Sequence, residues 1–378
     1  VSASLIGDIS VTEIGTYNTG DIDIDQFEVA SSPNKRRWVI LGFGTAGQRT
    51  REALGTEVWM LRADVDGGEA RSSFILTSER WSPADLTWKS VVLDDSGKVF
   101  AIYEDKDYGG TGLLGGRKQL NHFHWVKNGG DSLMRGDLVV EGDVLDAVAV
   151  LHTKTEALQV FGYYNAGKGV GMDGYFIGEF GDDGQIACRN HPFTESAAKQ
   201  FMGLGSLKRN ERPDNYYIRN VVALSNGGWL MLSEQFYESR QMETYYVNGV
   251  PQTSSKLFYH YGDIAMQYLQ KDGTLDSLIM VRKTQVGAVN VAHLFGFGMY
   301  VCGSSINLLY NDDEGEINRI MHVKIDKSFK VERDWLFRNE NTPGTIVPYE
   351  GKQTDYGLIT LPIYRDKQWF WLQVFSND

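Results

Sequence analysis

Cysteine is almost missing from this chain: Cys188 and Cys302 are the only two thiols in 378 residues. One disulfide at most can form, so a disulfide scaffold is excluded. Two separate, partly buried thiols are expected, because the pair lies far apart in sequence. Proline is scarce at 8 residues. Positive charge is in deficit: 37 Lys and Arg stand against 49 Asp and Glu, for a net charge of −12. Nucleic-acid binding needs clustered cations against phosphate, so no nucleic-acid partner is expected. The one dense basic run, Lys35-Arg36-Arg37, is short enough to be a solvated turn. No apolar run approaches the roughly 18 residues of a transmembrane helix. The chain opens at Val1 with neither Met nor a charged-then-apolar leader, which leads us to expect a cleaved leader or an upstream portion. A sustained helical period is lacking too, and only residues 195–201 read as one short helix within a loop.

Glycine is abundant at 42 residues, and the chain is 42% hydrophobic and 12% aromatic, enough for a packed core. Many glycines with few prolines suit many tight turns between strands. A ladder of apolar runs recurs: Trp38-Val39-Ile40-Leu41, Val99-Phe100-Ala101-Ile102, Leu158-Gln159-Val160-Phe161, Trp229-Leu230-Met231-Leu232, Met299-Tyr300-Val301-Cys302 and Leu358-Ile359-Thr360-Leu361. The period is roughly sixty residues, in six copies. A partner strand precedes each run, as in Val91-Val92-Leu93 or Val221-Val222-Ala223-Leu224, and Val291-Ala292-His293-Leu294 is assigned the same part in the fifth copy. Connections such as Asp94-Asp95-Ser96-Gly97 carry hairpin turn residues, which accept positive φ. A third strand follows, for example His122-Phe123-His124-Trp125 or Tyr175-Phe176-Ile177-Gly178, and a fourth leaves a turn such as Lys271-Asp272-Gly273.

Four antiparallel strands repeated six times predict an all-β fold: a six-bladed β-propeller filling residues 1–378 as a single domain. The sixth copy runs out after Trp369–Phe375, and Leu5–Val11 is an orphan strand at the other end. Pairing the N-terminal strand into the last blade closes the ring and hides both edges.

The segments Tyr268-Leu269-Gln270 and Lys271-Asp272-Gly273-Thr274-Leu275-Asp276-Ser277 resemble the third-to-fourth strand turn of delta-60-type and bead-like β-propeller repeats of bacterial secreted or surface proteins. The stretch Gly227–Tyr237, followed by Tyr261-Gly262-Asp263-Ile264, is similar to the fourth-blade region of envelope propellers from Bacteroidetes-type bacteria. The repeat pattern carries this resemblance along nearly the whole chain, but only the fourth blade is specific, and Lys327-Ser328-Phe329 replaces the Asp-Gly turn in the fifth. The resemblance implies an extracytoplasmic protein, in the periplasm, on the outer-membrane surface or secreted, and supplies no active site.

The topology puts strand-two-to-three and blade-to-blade connections on one face, and that face receives the long loops, around 44–56, 103–118, 193–215, 235–259 and 304–318. Long loops on a rigid frame are the usual seat of recognition. Their aromatic and charged residues make the candidate binding set: Tyr103, Asp105, Tyr108, Tyr163, Tyr164, Phe236, Tyr237 and Glu238, with Tyr216, Tyr217, Tyr245 and Tyr246 nearby. Capping of blade ends by ordinary packing is the plainer reading of any single one.

Motifs with chemistry are weak. His122 and His124 share a strand face but lack a third ligand at a recognisable spacing. Asp21, Asp23 and Asp25, with Asp64 and Asp66, offer oxygens but no EF-hand loop. Gly42-Phe43-Gly44-Thr45-Ala46-Gly47 has no helix after it to make a dinucleotide site, and the Gly109–Gly116 loop lacks a phosphate-binding Lys-Ser/Thr. No Gly-x-Ser-x-Gly elbow and no repeated Asp-box appear. No catalytic residue, metal or cofactor is assigned, and the chain is expected not to be an enzyme. The leading expectation is a non-enzymatic binding or scaffolding propeller holding a protein partner in an envelope or surface assembly. The alternative is a carbohydrate-active enzyme or a glycan-binding module on the long-loop face, where Glu104, Asp105 and Glu238 supply carboxylates.

Overall fold

The computed structural model describes residues 2–6, 23–45, 56–64, 69–77, 86–107, 120–128, 133–152, 157–167, 171–181, 185–205, 211–248, 250–312, 319–337, 344–365 and 367–376. Among them the chain is all-β, laid out as six antiparallel sheets in sequence order. Strand β1 (Ser2–Ile6) stands apart at the start. The first sheet holds β2 (Asp23–Ser31), β3 (Arg37–Thr45), β4 (Thr56–Asp64) and β5 (Glu69–Thr77); the second holds β6 (Leu86–Leu93), β7 (Val99–Asp107), β8 (Leu120–Asn128) and β9 (Leu133–Asp137). The third is β10 (Asp143–Leu151), β11 (Leu158–Asn165), β12 (Gly174–Phe180) and β13 (Ile186–Pro192). After helix α1 (Glu195–Met202) come β14 (Tyr216–Ala223), β15 (Trp229–Val247), β16 (Val250–Leu269), β17 (Leu275–Val281) and the short β18 (Gln285–Ala288), which adds to β16. The fifth is β19 (Gly298–Cys302), β20 (Ser305–Asp312), β21 (Arg319–Ile325) and β22 (Val331–Trp335). The sixth gathers β23 (Thr345–Ile346), β24 (Lys352–Asp355), β25 (Leu358–Arg365) and β26 (Gln368–Phe375), and β1 joins it by pairing antiparallel with β26, Ser2 opposite Phe375 and Ile6 opposite Trp371.

The core explains why the sheets need one another. An antiparallel sheet must bury its apolar faces against another layer. Five buried clusters do so in series. Val39, Leu41 and Phe43 of the first sheet pack on Trp88, Ala101 and Tyr103 of the second. Further clusters join the second to the third around Trp125 and Phe176, and the third to the fourth around Phe161 and Met231. Two more join the fourth to the fifth around Met266 and Leu308, and the fifth to the sixth around Tyr300 and Leu361. Phe43 stacks on Trp88 with ring centroids 4.0 Å apart. The first strands β2, β6, β10 and β14 lie side by side in succession. Turns such as Lys271-Asp272-Gly273 work as the sequence requires: Gly273 sits at φ +86°, which L side chains rarely adopt, and Asp272 accepts from Thr274 N at 2.9 Å.

Four sequence expectations change, the first being the loop placed around 304–318, whose first half is strand β20 (Ser305–Asp312). Residues 235–259, read as a loop, continue β15 and β16 as a long hairpin whose pairing runs from Phe236 opposite Tyr261 out to Val247 opposite Val250. The turn residue Asn248 has φ +51°, and the Asn248-Gly249 pair was a legible hairpin signal. Val291–Leu294 is not a strand but part of a 3-10 turn, Val289–Leu294. Met299–Cys302 is accordingly the first strand of its sheet, not the second. The loop around 193–215 does contain the expected helix, capped by Thr194 Oγ1 accepting from Ala197 N at 3.2 Å and ended by Gly203 at φ +65°.

Candidate functional site

Four of the first strands share one irregularity. In β2, β6, β10 and β14 a single residue is squeezed out of register: Asp25 and Leu145 as the third residue of their strands, Lys89 and Arg219 as the fourth. A bulge bends the strand and re-aims its side chains, and bulges cluster beside active sites. In the second and fourth sheets the bulged residue is a cation. In both, the strand alongside places a glutamate opposite the residue two before the bulge: Glu104 opposes Thr87 and Glu234 opposes Tyr217. The sequence thus builds the same cation–carboxylate clamp twice, just inside the long-loop face. Between the two clamps stands Asp146, the first residue after the bulge of β10.

All three carboxylates are buried: Glu104 and Asp146 are 6% and 1% exposed, and Glu234 is sealed at 0%. Buried carboxylates need partners. Lys89 Nζ supplies two of them, lying 2.8 Å from Asp146 Oδ1 and 3.6 Å from Glu104 Oε2. Asp146 Oδ2 also accepts from Ile218 N at 2.7 Å. Glu234 is held on three sides: by Lys283 Nζ at 2.7 Å, by Arg219 Nε at 3.3 Å and by the Tyr349 hydroxyl, which donates to its Oε2. Lys89 and Lys283 thus approach Asp146 Oδ1 and Glu234 Oε1 at ion-pair distance.

The two lysines respond in opposite ways. Burial pulls the Lys89 ammonium down, but Asp146 and Glu104 outweigh it and its pKa ends above the usual lysine value. For Lys283 burial wins over Glu234, and its pKa falls below that value. Aromatic rings cover the cations. Lys89 lies 5.4 Å from the centre of the Tyr217 ring and 5.9 Å from that of Phe123, and the Arg219 guanidinium lies 5.1 Å from that of Tyr349. Burial, opposed by Lys89 and Arg219 respectively, raises the Tyr217 and Tyr261 phenols above their usual range.

Two cavities flank this centre. One of about 380 Å³ runs along the first strands and is lined by Lys89, Val91, Val148, Ile218, Arg219 and Val221 among others. The other, about 540 Å³, lies between the second, third and fourth sheets, where His124, Asp137, Asp143, Met172, Tyr216 and Tyr217 meet.

The predicted binding set is largely redistributed. Tyr103, Tyr163 and Tyr164 are buried, not surface anchors. Tyr103 packs edge-on to Phe43 and Trp88, and the Tyr163 hydroxyl is bonded to Ser233 Oγ at 2.7 Å and to Gln267. Their rings fill the seams between sheets, where the apolar area removed from water is largest. Asp105 is buried on β7 opposite Leu86. Tyr108 lies outside the described residues. Phe236 is half-buried against Tyr217, Tyr259 and Tyr261, while Tyr237 and Glu238 are exposed where the long hairpin leaves the sheet, Tyr237 stacked on His260. Of the carboxylates singled out from sequence, only Glu104 reaches the site. His122 is exposed and His124 Nδ1 lies 2.8 Å from Asp137 Oδ1. Asp64 pairs with Arg37 at 3.4 Å; Asp21 and Asp66 lie outside the described residues. Lys89, Asp146, Arg219, Glu234, Lys283 and Tyr349 escaped sequence reading. A signal existed: Lys89 and Arg219 each interrupt an otherwise uncharged strand at the same place, in Leu86-Thr87-Trp88-Lys89-Ser90-Val91 and Tyr216-Tyr217-Ile218-Arg219-Asn220-Val221.

No family model matches the sequence, and no curated protein matches it. Solved structures do show a distant likeness. A levansucrase of B. megaterium is 11% identical with a TM-score of 0.34, over 85% of this chain and 86% of that one. A GDP-Man-dependent mannosyltransferase from Leishmania mexicana is 10% identical with a TM-score of 0.33, over 87% and 89%. An ancestral GH74 enzyme is 8% identical with a TM-score of 0.20, over 93% and 72%. Likenesses this distant transfer no residue of the site. They do correct one expectation from the sequence: the chain was expected not to be an enzyme, and these similar structures are all of enzymes.

Proposed function

We propose that the protein is a carbohydrate-active enzyme whose chemistry sits at Glu104 and Asp146, in the mouth of a six-bladed ring. One observation carries the reading: a single ammonium, Lys89 Nζ, touches both carboxylates, at 3.6 and 2.8 Å. Their nearest oxygens therefore lie no farther apart than those two distances together. Glycosidases of the retaining kind hold their carboxyl groups about 5–5.5 Å apart and inverting ones about 6.5–9.5 Å, so the pair is on the short side of the working range. Asp146 is oriented by Lys89 and the Ile218 N–H, as suits a carboxylate that attacks an anomeric carbon or directs water to it. Glu104 has one ionic contact among the described residues, at 3.6 Å, and serves as the proton donor to the glycosidic oxygen. Tyr217, which lines the larger cavity, offers a ring face for the apolar side of a sugar.

The ring is supported by the five cores in series and by β1 completing the last sheet. An extracytoplasmic place of action rests on the resemblance to secreted and envelope propeller repeats.

The test is hydrolysis of a panel of aryl glycosides by the purified chain and by Glu104→Gln and Asp146→Asn. Activity in the parent that falls at least ~10²-fold in both variants is expected. A parent inactive across the panel, or variants as active as the parent, sinks the reading.

A further inference from the structure

Arg219 differs in character from the carboxylate pair and lines the smaller of the two cavities. Its Nε is tied to Glu234 at 3.3 Å and its guanidinium lies over the Tyr349 ring, so its plane is fixed from two directions. The terminal nitrogens make no hydrogen bond among the described residues, and the side chain is not sealed: about a quarter of it, 26%, is accessible, and the residue lines the 380 Å³ cavity together with Lys89. A guanidinium held by its inner edge presents a rigid pair of outward N–H donors, a fork that fits two acceptor oxygens side by side.

Two ligand chemistries offer such a pair of oxygens: a carboxylate and a vicinal diol. The charge at the site decides between them. Three cations, Lys89, Arg219 and Lys283, face three carboxylates, Glu104, Asp146 and Glu234. An added anion beside a balanced, largely buried cluster has no free counter-charge and loses its hydration. A neutral diol adds no charge and its hydroxyl oxygens accept from the fork.

We infer that Arg219 is a specificity-determining group that reads a vicinal diol of a neutral sugar, so that the substrate class is neutral glycans and not uronic-acid glycans. The inference rests on the carbohydrate reading above and adds to it the residue that selects the sugar. Arg219→Lys is the sharper probe, because it keeps a cation near Glu234 and removes the fork. Arg219→Gln removes the charge as well.

Calorimetric titration of the parent with neutral oligosaccharides (sucrose, mannobiose, xylobiose, cellobiose) and with uronates (digalacturonate, glucuronate) is the experiment, with thermal melts of each variant run alongside. Expected is binding of at least one neutral sugar and of neither uronate, weakened roughly tenfold or more in Arg219→Lys, whose melting temperature stays close to the parent's. Should Arg219→Lys fail to fold, Arg219→Gln is read in the same way. A neutral sugar bound equally by parent and folded variants, or uronates bound in preference, overturns the role of Arg219 and leaves the carbohydrate reading standing. No sugar of either kind bound by the parent removes both.

Discussion

The second and fourth sheets carry the same clamp at the same register and use it differently. In each, a bulged cation on the first strand faces a glutamate from the strand beside it. Glu234 in the fourth sheet is saturated by Arg219, Lys283 and Tyr349 and is fully buried. Glu104 in the second shares Lys89 with Asp146 and, among the described residues, keeps only the longer contact. The difference teaches that a buried ion pair is a structural group when each charge is fully partnered, and becomes a chemical one when partnering stops short.

The comparison breaks most readily at activity. Glu104→Gln is expected to cost roughly 10²–10⁴ in turnover, whereas Glu234→Gln is expected to act mainly through the fold; initial rates on a responsive glycoside measure both. Next in size is the stability of the fourth-sheet clamp. Glu234→Gln leaves Lys283 and part of Arg219 buried without a counter-charge, and a loss of about 3–5 kcal/mol is expected from urea unfolding.

A third buried polar group, in the fifth sheet, sharpens the contrast along the pH axis. His322 is packed against Tyr300 and bonded to Asn307 Oδ1 at 2.9 Å, and burial first, with nearby positive charge, pushes its pKa down to about 4. The unfolded chain takes up the proton near 6.5, so between those two values the unfolded state binds more protons and stability falls as pH falls. The loss, up to ~3 kcal/mol at ~1.4 kcal/mol per pH unit, is complete below the folded value. Urea midpoints at pH 7 and pH 4.5 check it, and in His322→Gln this contribution is expected to vanish. The smallest effect returns to the second sheet: Glu104→Gln leaves Lys89 still paired with Asp146, and a stability change of no more than about 1 kcal/mol is expected in the same unfolding assay. A larger loss would make Glu104 a structural partner like Glu234.

Much of the architecture was legible because it depends on periodicity. Apolar runs and Gly- and Asn-bearing turns state locally which strand pairs with which, and the orphan strand read at Leu5–Val11 overlaps only at its start the strand Ser2–Ile6 that pairs with β26. The long hairpin was missed although Asn248-Gly249 announced it, since its polar strands lack the apolar alternation that a sheet core demands. The candidate site was barely legible. Tyr103, Tyr163 and Tyr164 look like surface anchors in sequence and are interior, because a tyrosine serves equally at a seam between sheets and on a rim.

The sequence by itself determined the all-β class, the repeat and the hairpin turns, through residue spacing and φ preferences that act over a few residues. Only the tertiary structure decided that Lys89, Glu104, Asp146, Arg219, Glu234, Lys283 and Tyr349 meet. They come from four different sheets and loops, and their meeting depends on one squeezed-out residue per strand and on how each sheet stacks on the next. Strand pairing is written in neighbours along the chain; the pairing of charges across sheets is set by packing, which no local pattern encodes.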